Sequence, residues 1–350
     1  MNNIIKKSIT LIMALLMLAS LAACGSSSTS TEVTSTPAAA EESSLDEAAE
    51  LDSTLPINIM VLNGTTGFGM AGLMYDAQNG EASLNYNFTV ETDASNVTAA
   101  LINGSVDIAA LPTNAAAALY NKTEGEVQVL ALNTLGVLYL VSDGSVEINS
   151  FADLKGQTVY VPAQNPSFIF QYLCEANSLA VGEDVIIDNS YAQPADLNAA
   201  VSSGEVSLAV LPEPMVTVAC SANEALSVVL DLTEEWDKVA PAGSLVQGCV
   251  VVRREFAAEH PSELKCFLEE YGASVDVLQA DVQGSAEKIE ATGIFSKAAV
   301  AAKAIPNCNV CFITGNDMKD ALSEFLNIMY SVAPQSIGGA VPADDFYCLL

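Results

Sequence analysis

Gly104-Ser105-Val106-Asp107-Ile108-Ala109-Ala110-Leu111-Pro112-Thr113-Asn114 reads as a turn, a short buried strand, and a Leu-Pro corner that opens a helix. The pattern returns as Gly204-Glu205-Val206-Ser207-Leu208-Ala209-Val210-Leu211-Pro212-Glu213. Gly204 − Gly104, Val206 − Val106, Ala209 − Ala109, Leu211 − Leu111 and Pro212 − Pro112 all equal 100. The offset holds upstream, where Val61, Phe68 and Leu73 match Val161, Phe168 and Leu173. It holds downstream, where Val129 and Leu130 match Val229 and Leu230. The matched segments keep one order without a gap. The chain therefore reads as two similar α/β lobes, each offering a strand–Pro–helix corner to a shared cleft.

Composition fits that reading. A chain of 350 residues, 51% hydrophobic, has ample core for about two domains. A net charge of −31 excludes the basic footprint of a nucleic-acid binder. The acidity serves as a solvated surface that keeps the protein soluble. It would also repel anionic lipid head groups, so membrane attachment needs another source. The N-terminus supplies one. Lys6 and Lys7 precede an apolar stretch, 9–18, too short for a spanning helix. Leu21-Ala22-Ala23-Cys24-Gly25 follows and resembles a bacterial lipobox. That resemblance implies a signal peptide over 1–23, cleavage before Cys24, and lipidation of Cys24, palmitate included. A plain secretory cleavage site is the alternative. Residues 24–55, rich in Ser, Thr, Ala and Glu, read as a disordered tether.

The remaining cysteines are Cys174, Cys220, Cys249, Cys266, Cys308, Cys311 and Cys348. An odd, scattered set is no disulfide framework. Cys174, Cys220, Cys249 and Cys266 lie in apolar runs and read as small core residues. Cys308-Asn309-Val310-Cys311 is a lone CxxC, and the chain has a single histidine, His260. A zinc site needs a second ligand pair, so a local disulfide or two free thiols is expected, with no metal and no cofactor. No Ser-His-Asp or Cys-His set can be assembled around His260, which reads as a surface residue.

Along the chain, strands are expected at 57–62, 84–91, 106–110, 127–132 and 137–142, and again at 157–161, 185–188, 206–211 and 227–232. Helices fill the intervals, one of them with Ser95 as N-cap. The strands 137–142 and 245–253 should cross between the lobes. From 261 to 330 the apolar spacing is helical, and these helices should complete the first lobe. The expected division is 56–141 with 249–350 for lobe 1, and 142–248 for lobe 2.

The lipobox, the tether, the strand–Pro corner, Phe151-Ala152-Asp153-Leu154-Lys155-Gly156 and Leu211-Pro212-Glu213-Pro214 together resemble one family. It is the nitrate/sulfonate/taurine-type substrate-binding protein of ABC importers, which includes binders of thiamine-pyrimidine precursors. The resemblance runs from about Pro56 to the C-terminus. It implies a type II periplasmic-binding-protein-like clamp with two interlobe crossing strands. It implies no enzymatic activity, a small-molecule ligand, and an ABC permease with its ATPase as partner. It further implies a monomer on the extracytoplasmic face, held to the membrane by the lipid alone. Carried over by position, the cleft would be lined by Gly64, Thr65, Thr66, Phe68, Thr113, Asn114, Asn133, Thr134, Gln164, Asn165, Ser167 and Glu213.

The chain departs from anion binders in its cations. Its only arginines are Arg253 and Arg254, and no lysine falls in a cleft turn. An anionic ligand would rely on helix N-termini, each worth only ~0.3–1 kcal/mol when exposed. Glu213 would oppose a bare anion and welcome an amine or ring N–H. That favours a zwitterionic or heteroaromatic ligand over nitrate. Three bland alternatives stand beside these assignments. Glu213 can be a capping or hinge carboxylate, Thr113 and Asn114 simple helix caps, and the turn 64–69 purely structural. Two other functions share the fold: a ligand-sensing subunit, and a thiamine-pyrimidine-synthase-like enzyme. The enzyme carries a histidine and a cysteine-rich motif that this chain lacks in its cleft turns.

Overall fold

The computed structural model describes residues 51–350. The leader, Cys24 and the tether up to residue 50 lie outside the described residues. The tether was expected to reach residue 55, but 51–55 form a turn closed by Leu55 N–H to the Asp52 carbonyl at 3.2 Å. The Asp52 amide donates to Glu263 Oε1 at 2.7 Å, a tie to a helix 211 residues away that local composition could not show.

Eleven strands are described: β1 Pro56–Leu62, β2 Asn85–Glu91, β3 Ile108–Pro112, β4 Val127–Thr134, β5 Leu138–Ser142, β6 Thr158–Tyr160, β7 Ile186–Asp188, β8 Leu208–Pro212, β9 Ser227–Asp231, β10 Gly248–Arg253 and β11 Val310–Ile313. They form two sheets with no strand in common, ordered β11-β4-β10-β3-β1-β2 and β7-β6-β8-β5-β9. Without β11, the first sheet has the same plan as the second. A parallel set is interrupted by one antiparallel strand, β10 or β5. The registers agree as well. Gly248 pairs Pro112 in the first sheet, and Leu138 pairs Pro212 in the second. The 100-residue repeat is thus a structural repeat, and the fold is the two-lobed α/β clamp expected.

The crossings differ in detail from the expectation. β5 pairs along its length with both β8 and β9, so it belongs wholly to the second sheet and cannot be shared. The outward crossing is the short link 135–137, and the lobe boundary falls before β5 instead of after residue 141. β10 likewise lies wholly in the first sheet, between β3 and β4. The return crossing is the loop that ends at Gln247.

The central strands are apolar on both faces because helices cover both. Ile57, Ile59 and Val61 are buried against Phe68, Met74, Phe267 and Tyr271. The helices Pro261–Ala280 and Val282–Ala291 pack on the helix Ala71–Gln78 and complete this layer, as their periodicity predicts. The helix Gly315–Val332 packs against both Thr113–Lys122 and Asn165–Ala176, and so touches elements of both sheets. Ser150 and Asp153 form a reciprocal capping box that starts the short helix Phe151–Leu154. For the helix Ala94–Ile102 the cap is Asp93, not Ser95. Asp93 keeps extended backbone, and its carboxylate accepts from the Ser95 N–H at 2.8 Å.

All seven cysteines among the described residues are free. Cys174, Cys249 and Cys308 are buried, and the others are partly so. No group of His, Cys, Asp and Glu among the described residues could hold a metal ion. No helix among them is long and apolar enough to cross a membrane. His260 is partly exposed, at the start of helix Pro261–Ala280.

Candidate functional site

The two strand–Pro corners are pinned to the two crossings by equivalent hydrogen bonds. Thr113 N–H donates to the Gln247 carbonyl at 3.2 Å, and Glu213 N–H donates to the Val137 carbonyl at 2.9 Å. Residues 247 and 137 each immediately precede the inserted antiparallel strand of their sheet. The crossings are also tied to each other. Gln247 N–H donates to the Thr134 carbonyl at 2.9 Å, and its side-chain Oε1 accepts from Val137 N–H at 2.8 Å. One glutamine therefore holds both corners beside one hinge. Gly136 and Gly248 leave the room this needs: a Cβ at Gly136 would strike Thr233, and one at Gly248 would strike Asn133 and Thr134.

Most donors at this hinge are spent within the protein. The Thr113 hydroxyl is fully buried and donates to the Val246 carbonyl at 2.7 Å. Thr134 Oγ1 donates to Asn133 Oδ1 at 3.1 Å, and Asn133 Nδ2 donates to the Thr66 carbonyl at 3.1 Å. Thr233 Oγ1, against Gly136, is buried without a partner, and so are two side-chain acceptors, Asn114 Oδ1 and Asn165 Oδ1. Each asparagine lies in the first turn of a helix that leaves the C-terminal end of a strand, Thr113–Lys122 after β3 and Asn165–Ala176 after β6. Such ends carry free N–H groups and partial positive charge.

Gly64 and Gln164 are repeat-equivalent and share an unusual backbone, φ 86 and ψ −158 against φ 66 and ψ −134. That region is open to glycine and strained for glutamine. Gln164→Gly should therefore raise the unfolding free energy by about 1 kcal/mol, the relieved strain less the entropic cost of a glycine. A urea midpoint equal to wild type would show that the backbone is unstrained. Gln164 itself is exposed, and Ser167 Oγ is engaged with Asn189. Thr65 is buried and Thr66 half-buried in the preceding lobe. Phe68 is fully buried and meets Phe295 edge-to-face at 6.2 Å, so its ring is taken up by the core.

Glu213 is 3% exposed, and its carboxylate is filled from the protein side. It accepts from Thr217 N–H at 3.1 Å and from Thr217 Oγ1 at 2.9 Å, and it meets the Asn307 side chain. Burial raises its pKa above the usual carboxylate value, and the Thr217 and Asn307 hydrogen bonds oppose that rise only in part. Asn307 and Asn309 were not singled out in the sequence. The Asn307 carbonyl accepts from Tyr139 Oη at 2.8 Å. Asn309 Nδ2 donates to the Gly136 carbonyl at 2.6 Å, and its own carbonyl accepts from Leu135 N–H at 3.0 Å. The CxxC segment thus runs as a third strut beside the hinge. Burial raises both its thiols, Cys311 to about 12 and Cys308 well above its ordinary value with Glu213 adding to the shift. Neither is a reactive thiolate near neutral pH. Two surface cavities lie elsewhere, one beside Ile102, Thr123 and Arg253 at the opposite end of β10, the other along Gly272, Gln279 and Phe312. Neither gathers paired corners from the two lobes.

No protein-family model matches the chain, and no curated protein does. Solved structures do. An ABC transporter structure from Parabacteroides distasonis superposes with TM-score 0.71 at 23% identity, covering 85% of this chain and 99% of that one. The periplasmic aliphatic sulphonate binding protein SsuA from Escherichia coli gives TM-score 0.65 at 14% identity, with 84% and 93% covered. The ligand binding component of an ABC-type import system from Staphylococcus aureus, with zinc bound, gives 0.64 at 16% identity, with 84% and 96% covered. The fold of this chain is that of the two-lobed binding components of ABC importers.

Proposed function

We propose that the chain is an extracytoplasmic solute-binding lipoprotein. It delivers a small polar organic ligand to an ABC permease and its ATPase, and it catalyses no reaction. The observation that carries this reading is the pair of repeat-related corners held at one hinge by Gln247. Two lobes whose backbones connect through the link 135–137 and the loop ending at Gln247 can close around a ligand, with those links absorbing the rotation. The neighbours in fold support the transport role, and the sulphonate-binding one supports a small polar ligand. The lipobox supports an anchor at Cys24, since acyl chains supply the apolar area that the acidic surface cannot.

Two experiments test this. Cys24→Ser should move the protein out of the membrane fraction, and unchanged retention there would remove the anchor from the proposal. A ligand found by thermal-shift screening should shrink the radius of gyration in small-angle scattering. Binding without compaction would reject the clamp. At a hundredfold excess over Kd, such a ligand should add ~2.7 kcal/mol of stability.

A further inference from the structure

We propose that the clamp pivots on the helix Gly315–Val332 and opens at the helix Ala298–Ala304. This rests on the solute-binding reading and supplies the direction of the motion. Beyond the two crossings, the stretch 298–332 of the first lobe makes two contacts with the second lobe, and they differ in kind. The helix Gly315–Val332 is fixed to the first lobe by packing on β4 and on Thr113–Lys122. The turn that follows it is fixed there too, since Asn121 Nδ2 donates to the Ile337 and Ala340 carbonyls, each at 2.7 Å. The same helix meets the second lobe through Phe325, whose ring lies 5.9 Å from that of Trp236. Neither ring has exposed surface. Parting there would return two large aromatic side chains to water together. The return crossing joins at the same place, where Ser244 Oγ accepts from the Trp236 indole N–H.

The other contact is built to yield. The helix Ala298–Ala304 rests on Val282–Ala291 of the first lobe and packs against Met215–Ala222 of the second. Five of its seven residues are alanine, and side chains that small bury little area. Just beyond it, Tyr139 Oη of β5 donates to the Asn307 carbonyl at 2.8 Å, and the Asn307 side chain meets Glu213. Asn307 is exposed, so water stands ready to replace both partners. A hydrogen bond exchanged for one to water costs far less than uncovering an aromatic core. The lobes therefore part at Asn307 and Ala298–Ala304 while Phe325 and Trp236 stay in contact. Cys308 marks the opening side. It is fully buried in the same strut, near enough to Glu213 to feel its charge.

The ligand-free full chain carrying both Tyr139→Phe and Asn307→Ala should open more often than wild type. Modification by iodoacetamide, mapped by mass spectrometry, should reach Cys308 about twentyfold faster in this double variant, the equivalent of two lost hydrogen bonds. Cys174 and Cys249, buried within the second and first lobes, should keep their wild-type rates. The emission of Trp236, the only tryptophan, should not shift, because a pivot keeps its neighbours. Equal Cys308 rates in the two proteins would overturn the opening side. A red-shifted Trp236 with Cys174 and Cys249 unchanged would overturn the pivot. If all three cysteines react faster, the double variant has lost its fold, and Tyr139→Phe alone decides by the same criteria, with about fivefold expected at Cys308. The clamp itself stands or falls separately, on compaction by a screened ligand.

Discussion

Trp236→Ala should destabilise the protein by about 3–5 kcal/mol, the range for truncating a large buried aromatic side chain. Trp236 is the only tryptophan in the chain and has no exposed surface. Its ring lies 4.8 Å from Tyr172 and 5.9 Å from Phe325, centroid to centroid. Its indole N–H donates to Ser244 Oγ at 2.9 Å, and Ser244 is itself buried. Those partners lie on three elements: the helix Asn165–Ala176, the helix Gly315–Val332 and the loop of the return crossing. Truncation would open a cavity where these meet and remove the donor that Ser244 accepts from. Trp236→Phe keeps most of the packing and should recover more than half of the loss. Urea denaturation followed by circular dichroism measures both, since the fluorophore is gone. A loss below about 1 kcal/mol for the Ala variant would mean that the three elements collapse onto the gap, against the behaviour of rigid cores.

The plan of the lobes was legible because it is written in local patterns repeated at a fixed offset. Gly104 and Gly204 end one element, apolar runs mark β3 and β8, and Pro112 and Pro212 mark the corners. Most expected strand limits lie within about two residues of those observed. β11 was missed. It is a four-residue edge strand, Val310–Ile313, and its CxxC pattern drew attention to thiol chemistry instead of pairing. Asp93 supplies the cap in place of Ser95, because two good capping residues stand two positions apart and only the backbone decides between them. The crossings were placed within a few residues, but the bonds that build the hinge were not legible. Gln247, Asn307 and Asn309 work through partners more than 100 residues away, and an isolated Gln or Asn has no local signature. Asn114 and Asn165 were placed in the cleft by position, but their unpaired oxygens required the fold.

Glu213→Ala should lower the stability of the ligand-free protein by about 2 kcal/mol at neutral pH, because the Thr217 amide and hydroxyl lose their buried acceptor. The sequence offered two roles for this residue, a charge for the ligand or a carboxylate of the hinge. The geometry favours the second. Both carboxylate oxygens are used by Thr217 at the start of the helix Met215–Ala222, and the Asn307 side chain meets the same group from the strut at the hinge. Removing the carboxylate leaves the Thr217 amide and hydroxyl without their acceptor and breaks a link between the strut and the second lobe. The pH dependence follows from burial, which raises the folded-state pKa above the unfolded value. The folded chain then binds this proton more tightly than the unfolded chain. The resulting stability is fully present below the unfolded pKa and is lost as pH rises through the folded one. The margin of wild type over Glu213→Ala should therefore widen as pH falls through that window. Denaturation of the pair at several pH values between neutrality and the ordinary carboxylate range measures the margin. Unchanged stability of the ligand-free variant, together with lost binding of a ligand found by thermal-shift screening, would return Glu213 to the ligand and leave the strut without its acceptor.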